Sequence, residues 1–330
     1  LKNELDAMKE YIPIYAGLTG GNGIGSNTLM RAEALLMQGA DADAEALCYK
    51  SLYQSKGMHQ KCISLCTEFV LAQIALLRGD TKSYCSATDR IRQYRSSGSE
   101  RILLRMAELC LAELSLTLGE DDGLADWLYD PESIKKVLYT PAVPYGLILY
   151  SKILLLRKRY NEFRGLSALI LDISKEMHYL LPQVYQLIYL AIVKHAQGRT
   201  EEAQTRLNQA LAIALPDKVY LPFAVHGTAL GSLLETAKLS VSDHKGIRNI
   251  MSLARRQEAG IKAVRKALLP GKSPLTPRER DIALLAQKRL TAREIAKQLF
   301  ITDSTVRSTL KSVYKKLDIH SKSELAHMDL

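Results

Sequence analysis

The chain has 330 residues, of which 47% are hydrophobic, and it carries 45 Lys and Arg against 35 Asp and Glu, a formal net charge of +10. This composition supplies ample material for a buried core, and the lack of any run of eighteen apolar residues excludes a membrane-spanning helix from our expectations. All five cysteines lie before residue 111 within apolar patterns, which predicts reduced core residues in a cytoplasmic protein.

A glycine-rich segment, Gly20-Gly21-Asn22-Gly23-Ile24-Gly25-Ser26, precedes the first strongly predicted helix. It is similar to a phosphate-binding loop, but no lysine follows at the position that the motif requires. Cys62 and Cys66 are one helical turn apart, yet no further ligand occurs at a recognisable metal-binding spacing. We therefore interpret the glycines as a turn and expect neither a cofactor nor a metal in this chain.

Pairs of helices joined by tight turns are predicted from residue 26 to about residue 235. The predicted turns recur at steps of 40, 40, 39 and 40 residues, at Gly39, Gly79, Gly119, Lys158 and Gly198. Seven positions before each turn is a small residue, in order Ala32, Ala72, Ala112, Ser151 and Ala191. A fixed period of helix pairs predicts an α-solenoid in which each pair buries one face on its neighbours.

The fifth unit resembles a tetratricopeptide repeat (TPR). The residues that match the spacing of its second helix are Gly198, Ala203, Leu207, Ala210 and Leu211. The other units match more weakly and exceed that repeat's period of about 34 residues. The sequence therefore predicts an all-α fold, in which a TPR-like α-solenoid is followed by a small four-helix domain.

Polar residues recur at one equivalent position in successive first helices, as Glu33, Gln73, Glu113 and Lys152. In repeats of this kind such positions line the concave side, and convergent polar groups in an apolar concavity are typical of a small-molecule site. The candidate ligand-binding residues are Gln73, Glu113, Lys152, Tyr185 and His195. A solvated inner surface, or hydrogen bonding between helices, is the alternative interpretation.

A basic helix is predicted over residues 244–268, and Pro270-Gly271-Lys272-Ser273-Pro274 obstructs its continuation. We expect a helical-repeat sensor or interaction domain at 1–243, a connecting helix and linker at 244–274, and a further domain at 275–330. Residues 244–330 contain 19 basic and 8 acidic residues, so all the excess positive charge lies there. Such clustering is the electrostatic footprint of nucleic-acid binding.

Four short helices are predicted within residues 275–325, because each has its own start signal. Three segments have the pattern of a capping box, beginning at Thr276, Thr291 and Ser321, and Thr302 can cap a helix that opens at Asp303. The apolar residues expected to share one small core are Ile282, Leu285, Ile295, Leu299, Ile301, Val306, Leu310, Val313 and Leu317. The second and third helices form a helix-turn-helix, whose second helix usually enters the major groove.

This stretch closely resembles the LuxR-type (GerE) helix-turn-helix over about fifty residues, without a gap. The matching pieces are Leu275-Thr276, Arg278-Glu279, Glu294-Ile295-Ala296, Thr305-Val306, Tyr314 and Lys316-Leu317. The departures are Arg289, Ala292, Thr309 and Asp318. Of these, Arg289 and Asp318 occupy positions where the family's glycine would relax a turn.

The resemblance implies sequence-specific binding of duplex DNA by the helix that begins at Asp303. If Val306 and Leu310 face the core, the outer face of this helix carries Ser304, Arg307, Ser308 and Lys311. The family places base-edge contacts early in the helix, which gives candidates at Arg307, Ser308 and Lys311. The residues expected to contact phosphates are Thr305, Lys315, Arg293 and Lys297.

A helical-repeat array before a LuxR-type domain resembles the MalT-like branch of these regulators. In that branch a nucleotide-binding module precedes a solenoid that receives an inducer, so the resemblance implies that this chain is a C-terminal fragment without its upstream ATPase. We expect a transcription regulator, not an enzyme, whose partners are duplex DNA and a small-molecule inducer or regulatory protein. The alternative is a helical-repeat adaptor that uses its C-terminal domain to dock proteins.

LuxR-type domains commonly pair through their last helix, which here has only residues 322–330 to use. Leu325 and Met328 can share one face, but so small a stripe falls short of the roughly 1,000 Å² that stable interfaces cover. We therefore expect a weak or DNA-induced homodimer.

Overall fold

In the computed structural model the described residues are 23–57, 59–95, 100–237, 243–268, 275, 277–299, 301–317, 319 and 321–325, with residues 11, 14, 17 and 18. All regular elements in these ranges are helical, as the sequence predicts. None of the helices in these ranges combines the length and apolar character that a membrane span requires. The chain divides into two compact units, residues 1–267 and 268–330.

The first unit, called here the repeat unit, consists mainly of helical hairpins. Its helices are α1 (Ser26–Met37), α2 (Asp41–Gly57), α3 (Lys61–Arg78), α4 (Thr81–Arg92), α5 (Arg101–Thr117), α6 (Pro131–Val137), α7 (Val143–Leu156), α8 (Tyr160–Glu176), α9 (Leu180–Ala196), α10 (Thr200–Ala214), α11 (Leu221–Val225), α12 (Gly227–Glu235) and α13 (Asp243–Leu268).

The five predicted turns are confirmed by their backbone conformation. Each turn residue has a left-handed φ, between 56° at Lys158 and 81° at Gly39. Glycine adopts this conformation without strain, whereas Lys158 does so at a cost. The small residues seven positions earlier are at most 1% exposed, so neighbouring helices approach closely there. The finer assignment to a TPR-like repeat stays a prediction.

The third hairpin keeps the predicted period but lacks a regular second helix. After Gly119 the chain forms a 3-10 turn over Asp126–Tyr129 and the short helix α6, where a long second helix was expected. Gly123, with φ of 71°, and Pro131 at the start of α6 interrupt the helix. Trp127 fixes this irregular segment, because its buried ring donates a hydrogen bond from Nε1 to Glu108 Oε2 at 2.8 Å.

The segment after the fifth hairpin returns to the first hairpin. Tyr220 donates its backbone N–H to the carbonyl oxygen of Met37 at 2.8 Å, and Gln38 Nε2 donates to the carbonyl of Asp217 at 3.2 Å. In a linear array each repeat contacts only its neighbours. These contacts join the two ends of the array, so the repeat unit closes on itself.

Helix α13 packs against the first three turns, at Gly39, Gly79 and Gly119. The closest approach is at Gly260, where an added Cβ would lie only 2.0 Å from the carbonyl oxygen of Leu76. Glycine is therefore the one residue type that allows this contact. The sequence places this helix between two domains as a connector, whereas its packing makes it part of the repeat unit.

Two ion pairs reinforce the packing of α13. Arg256 Nη2 lies 2.7 Å from Asp41 Oδ1, and Arg265 Nη2 lies 3.5 Å from Glu120 Oε1. Burial alone would raise the pKa of Asp41, but hydrogen bonds from Arg256 and Arg78 lower it below its ordinary value. Asp41 and Glu120 each follow a turn glycine by one or two residues, so the hairpin turns supply the acidic partners.

The second unit contains the four predicted helices, α14 (Pro277–Gln287), α15 (Ala292–Gln298), α16 (Asp303–Leu317) and α17 (Lys322–Leu325). All nine predicted core residues belong to one apolar cluster, in which Val306 and Val313 are fully buried. The core prediction is thus confirmed. The predicted linker at 270–274, together with Thr276, Phe300, Asp318 and Met328, lies outside the described residues.

Candidate nucleic-acid interface

The second and fourth helices of the C-terminal unit begin as their start signals predict. Thr291 Oγ1 accepts a hydrogen bond from the N–H of Glu294 at 3.3 Å, and Glu294 Oε2 accepts from the N–H of Thr291 at 2.7 Å. At α17, Ser321 Oγ accepts from the N–H of Glu324 at 3.2 Å. These caps satisfy backbone donors that a helix N-terminus otherwise leaves free.

The first turn of α16 has a cap that also engages two candidate DNA-binding residues. Thr302 Oγ1 accepts from the N–H of Thr305 at 3.2 Å, which confirms the predicted N-cap. The same hydroxyl lies 2.8 Å from Ser304 Oγ and 2.7 Å from Thr305 Oγ1. Both candidate hydroxyls are therefore held in a network that orders the start of the helix.

Glu279 fixes α16 against α14, a role that the sequence reasoning missed. The side chain is 5% exposed. Its Oε1 accepts from Ser312 Oγ at 3.1 Å, and its Oε2 accepts from Lys316 Nζ at 2.6 Å. A buried carboxylate needs such partners, because it has lost its hydration. The adjacent Arg278 donates from Nη2 to the carbonyl of Leu299 at 2.8 Å, and so satisfies the end of α15.

Arg289, which occupies a position where the LuxR-type family has glycine, adopts the left-handed backbone conformation expected of that position. Arg289 lies two residues after α14 and has φ of 64°. Its N–H donates to the carbonyl of Ala286 at 3.0 Å, which closes the helix. An L-residue in this left-handed conformation is strained, so the turn forms at an energetic cost that glycine would avoid.

All eight candidate DNA-binding residues are exposed: Arg293, Lys297, Ser304, Thr305, Arg307, Ser308, Lys311 and Lys315. Four of them share one stripe of α16, because they recur at intervals of four, three and four residues: Ser304, Ser308, Lys311 and Lys315. Arg307 flanks this stripe. On α15, Arg293 and Lys297 are one turn apart and share a second exposed face.

The five candidate ligand-binding residues are distributed over four helices of the repeat unit. Lys152 is buried, and its Nζ donates to Glu113 Oε1 and to Thr117 Oγ1, both at 2.8 Å. This pair links α5 to α7. Burial raises the pKa of Tyr185, and the nearby Glu113 adds to the rise, so these three candidate side chains lie close together.

The other two candidates have different surroundings. Gln73 is half-buried on α3. His195, near the end of α9, has Nε2 at 3.3 Å from Ser232 Oγ, while its buried Nδ1 has no hydrogen-bond partner. Hydrogen bonding between helices, the alternative interpretation, applies to Lys152 and Glu113. Ligand binding by any of the five stays a prediction.

Glu33, which belongs to the same polar row, was not among the candidates but has an unusual environment. Burial raises the pKa of its carboxyl from 4.5 to about 7. Burial raises the pKa of the Cys66 and Cys110 thiols and of the Tyr145 hydroxyl, and the charge of Glu33 adds to each rise. The carboxyl therefore lies near these groups, and no described basic side chain forms an ion pair with it.

Comparison with known proteins identifies the C-terminal unit. Residues 273–329 match the family described as bacterial regulatory proteins, luxR family. Across 61 residues the chain is 41% identical to a protein of Mycobacterium tuberculosis described as a putative HTH-type transcriptional regulator. This alignment covers 18% of the chain and 7% of that protein. The chain is 40% identical, across 68 residues, to the nitrate/nitrite response regulator NarL of Escherichia coli, covering 21% of this chain and 32% of NarL.

A longer similarity includes the repeat unit. The chain is 24% identical over 318 residues to the HTH-type transcriptional regulator MalT of Vibrio campbellii, an alignment that covers 89% of this chain and 34% of MalT. The chain thus spans about a third of the length of the MalT relatives that it matches. At its C-terminal end, in residues 273–329, the protein carries a LuxR-family helix-turn-helix domain.

Proposed function

We propose that this protein regulates transcription by binding duplex DNA sequence-specifically through α16. The observation that carries the proposal is the position of four residues on one exposed stripe of a helix whose opposite side is buried in the core: Ser304, Ser308, Lys311 and Lys315. Glu279 accepts hydrogen bonds from Ser312 and Lys316 and so fixes α16 against α14. A helix fixed in this way can enter the major groove as a rigid element. The match of residues 273–329 to the LuxR family supports the same function.

Within the interface we assign base-edge contacts to Arg307, Ser308 and Lys311. An arginine can pair with guanine O6 and N7 through two hydrogen bonds, whereas lysine is a less selective donor. Thr305, Lys315 and the pair on α15, Arg293 and Lys297, are assigned to phosphates. Phosphate contacts position a protein on the duplex but carry no sequence information themselves.

The repeat unit, in the proposal, receives the signal that controls DNA binding in the cytoplasm. The signal is a small molecule or a regulatory protein. The support comes from two half-buried polar side chains: His195, whose buried Nδ1 has no hydrogen-bond partner, and Glu33, whose pKa is raised by burial to about 7. Because the C-terminal helix offers little apolar surface, we propose that DNA with two half-sites, and not free solution, brings two copies together.

The test is selection of bound duplexes from a random library, followed by titration at several salt concentrations. We expect an enriched sequence, and a binding constant that falls steeply with salt because phosphate contacts release counterions. A chain that enriches no sequence and binds duplex without salt dependence would instead be a protein-docking adaptor. A screen of metabolites for a raised unfolding midpoint tests the signal, since a ligand that prefers the folded state stabilises it.

A further inference from the structure

Helix α13 carries an unusual share of the positive charge. Residues 243–268 include seven basic residues (Lys and Arg) and two acidic residues (Asp and Glu). Residues 269–330 include twelve basic and seven acidic residues. The net charge of this single helix, +5, therefore equals that of the whole segment after it. Because α13 packs on the hairpin turns, this charge belongs to the repeat unit.

The cations of α13 fall into two groups. Arg256 and Arg265 are paired with acidic residues of the turns. On the outer side, opposite the buried Ile250 and Val264, is a row of exposed cations, called here the basic ridge: Arg248, Arg255, Lys262 and Lys266. None of the four forms an ion pair with a described residue of the chain. The cations needed to dock the helix are thus separate from those of the basic ridge.

The spacing of the basic ridge suits an extended polyanion. Three of its members recur every seven residues, so successive charges are about 10 Å apart, and the row extends over about 27 Å. Duplex DNA carries one negative charge per roughly 1.7 Å of its axis, and a row of this length can meet several phosphates of one strand. Ordinary solvated surfaces intersperse both signs, whereas Glu258 is the sole acidic side chain that the structure describes on this helix.

We propose that the basic ridge of α13 is a second phosphate-binding surface, which contacts the backbone of the duplex that the helix-turn-helix domain binds. The inference rests on the proposed function, since it requires a DNA-bound protein. Only eight residues of the sequence separate the end of α13 from the start of α14, so the ridge and the DNA-binding helices are neighbours along the chain. Contacts of this kind add affinity without adding sequence preference.

The test uses the full chain and a random-sequence duplex three helical turns long. The ridge variant replaces Arg248, Arg255, Lys262 and Lys266 by glutamine. The control variant replaces four exposed lysines on α2, α4, α6 and α8 by glutamine: Lys50, Lys82, Lys136 and Lys175. Each lost phosphate contact reduces the magnitude of the slope of log K against log salt by about 0.9. We therefore expect the ridge variant to have a slope smaller in magnitude by about 2–4, and the control variant to have an unchanged slope.

Three outcomes separate this inference from the proposed function. Equal slopes for the ridge and control variants, with DNA binding retained, would overturn the inference and leave the function intact. A wild-type chain without salt-dependent duplex binding would overturn both. If the ridge variant lost binding to phosphatidylserine vesicles but kept the wild-type salt dependence of DNA binding, the ridge would be assigned to a membrane and the inference overturned. If the ridge variant unfolds, the variant Arg255→Gln/Lys262→Gln, which should lose about half as much slope, decides instead.

Discussion

Arg307 donates from Nε to Asp303 Oδ2 at 2.9 Å, one turn earlier in α16. The guanidinium is thereby directed along the exposed side of the helix N-terminus, where the LuxR family makes its base contacts. The Arg307 side chain is 72% exposed, and exposed pairs one turn apart contribute only about 0.3–0.5 kcal/mol. Asp303 can therefore orient Arg307 without preventing it from binding a base.

Replacing Arg307 by alanine should weaken binding to the selected sequence by roughly 1–3 kcal/mol, because a base contact is lost. Random duplex should be affected much less. The measurement is a pair of titrations at one salt concentration, with Arg164→Ala, an exposed arginine of the repeat unit, as control. Equal losses on both duplexes would reassign Arg307 to phosphate contact, and no loss would remove it from the interface.

Replacing Glu279 by alanine should destabilise the C-terminal unit by about 2–3 kcal/mol, since two hydrogen bonds to a buried carboxylate are lost, one of them from a cation. Asp281→Ala is a matched control, because this carboxylate lies exposed on the same helix. Chemical unfolding of the two variants measures the difference. Similar stability would mean that Lys316 and Ser312 do not hold α16 in place.

Replacing Arg289 by glycine should stabilise the C-terminal unit by about 1 kcal/mol, because glycine adopts the left-handed φ without strain. Alanine at this position keeps the strain and should bring no gain. A higher unfolding midpoint for Arg289→Gly than for Arg289→Ala is the expected result. The opposite order would show that the arginine side chain makes a contact worth more than the backbone strain.

Local signals predicted much of this fold, and long-range contacts supplied the rest. The turn at Gly198 and the capping box at Thr291 follow from nearby residues, so the sequence alone indicates them. The return of Tyr220 to Met37 joins positions far apart in the chain, and no local pattern encodes it. Nor does an isolated Gly260 reveal that its helix packs against a distant carbonyl.

The candidate site divides in the same way. Exposure of Lys311 follows from helical spacing, because the apolar residues on the other side of α16 must be buried. The role of Glu279 depends on which residues of α16 meet α14, and this is a property of the assembled unit. Lys152 illustrates the same limit, since helical spacing alone does not reveal that its buried side chain forms an ion pair with Glu113.

Replacing Gly260 by alanine should destabilise the repeat unit by about 1–3 kcal/mol, because the added methyl group would collide with the backbone at Leu76. Gly231→Ala is the control, since nothing lies within 4 Å of a Cβ added there. Alanine in that helix should instead stabilise by about 0.5–1 kcal/mol. If the two variants were equally stable, or if Gly260→Ala were the more stable of the two, α13 would not be packed closely on the turns.

Glu33→Gln should change how the stability of the repeat unit depends on pH. Burial raises the folded-state pKa of Glu33 to about 7 from an ordinary value of 4.5. Between these values the folded protein holds a proton that the unfolded chain releases. The contribution of Glu33 to stability is therefore complete below pH 4.5 and is lost as the pH rises through about 7.

Glutamine stays neutral at every pH, so the variant should match the wild type below pH 4.5 and exceed its stability above pH 7. We expect a difference of about 1–2 kcal/mol, less than the full pKa shift implies, because the side chain retains partial exposure. Chemical unfolding across this window provides the measurement, with Glu201→Gln, an exposed carboxylate on α10, as control. Parallel curves for wild type and Glu33→Gln would show that the carboxyl ionises without cost, and hence that water or a basic group reaches it in the folded protein.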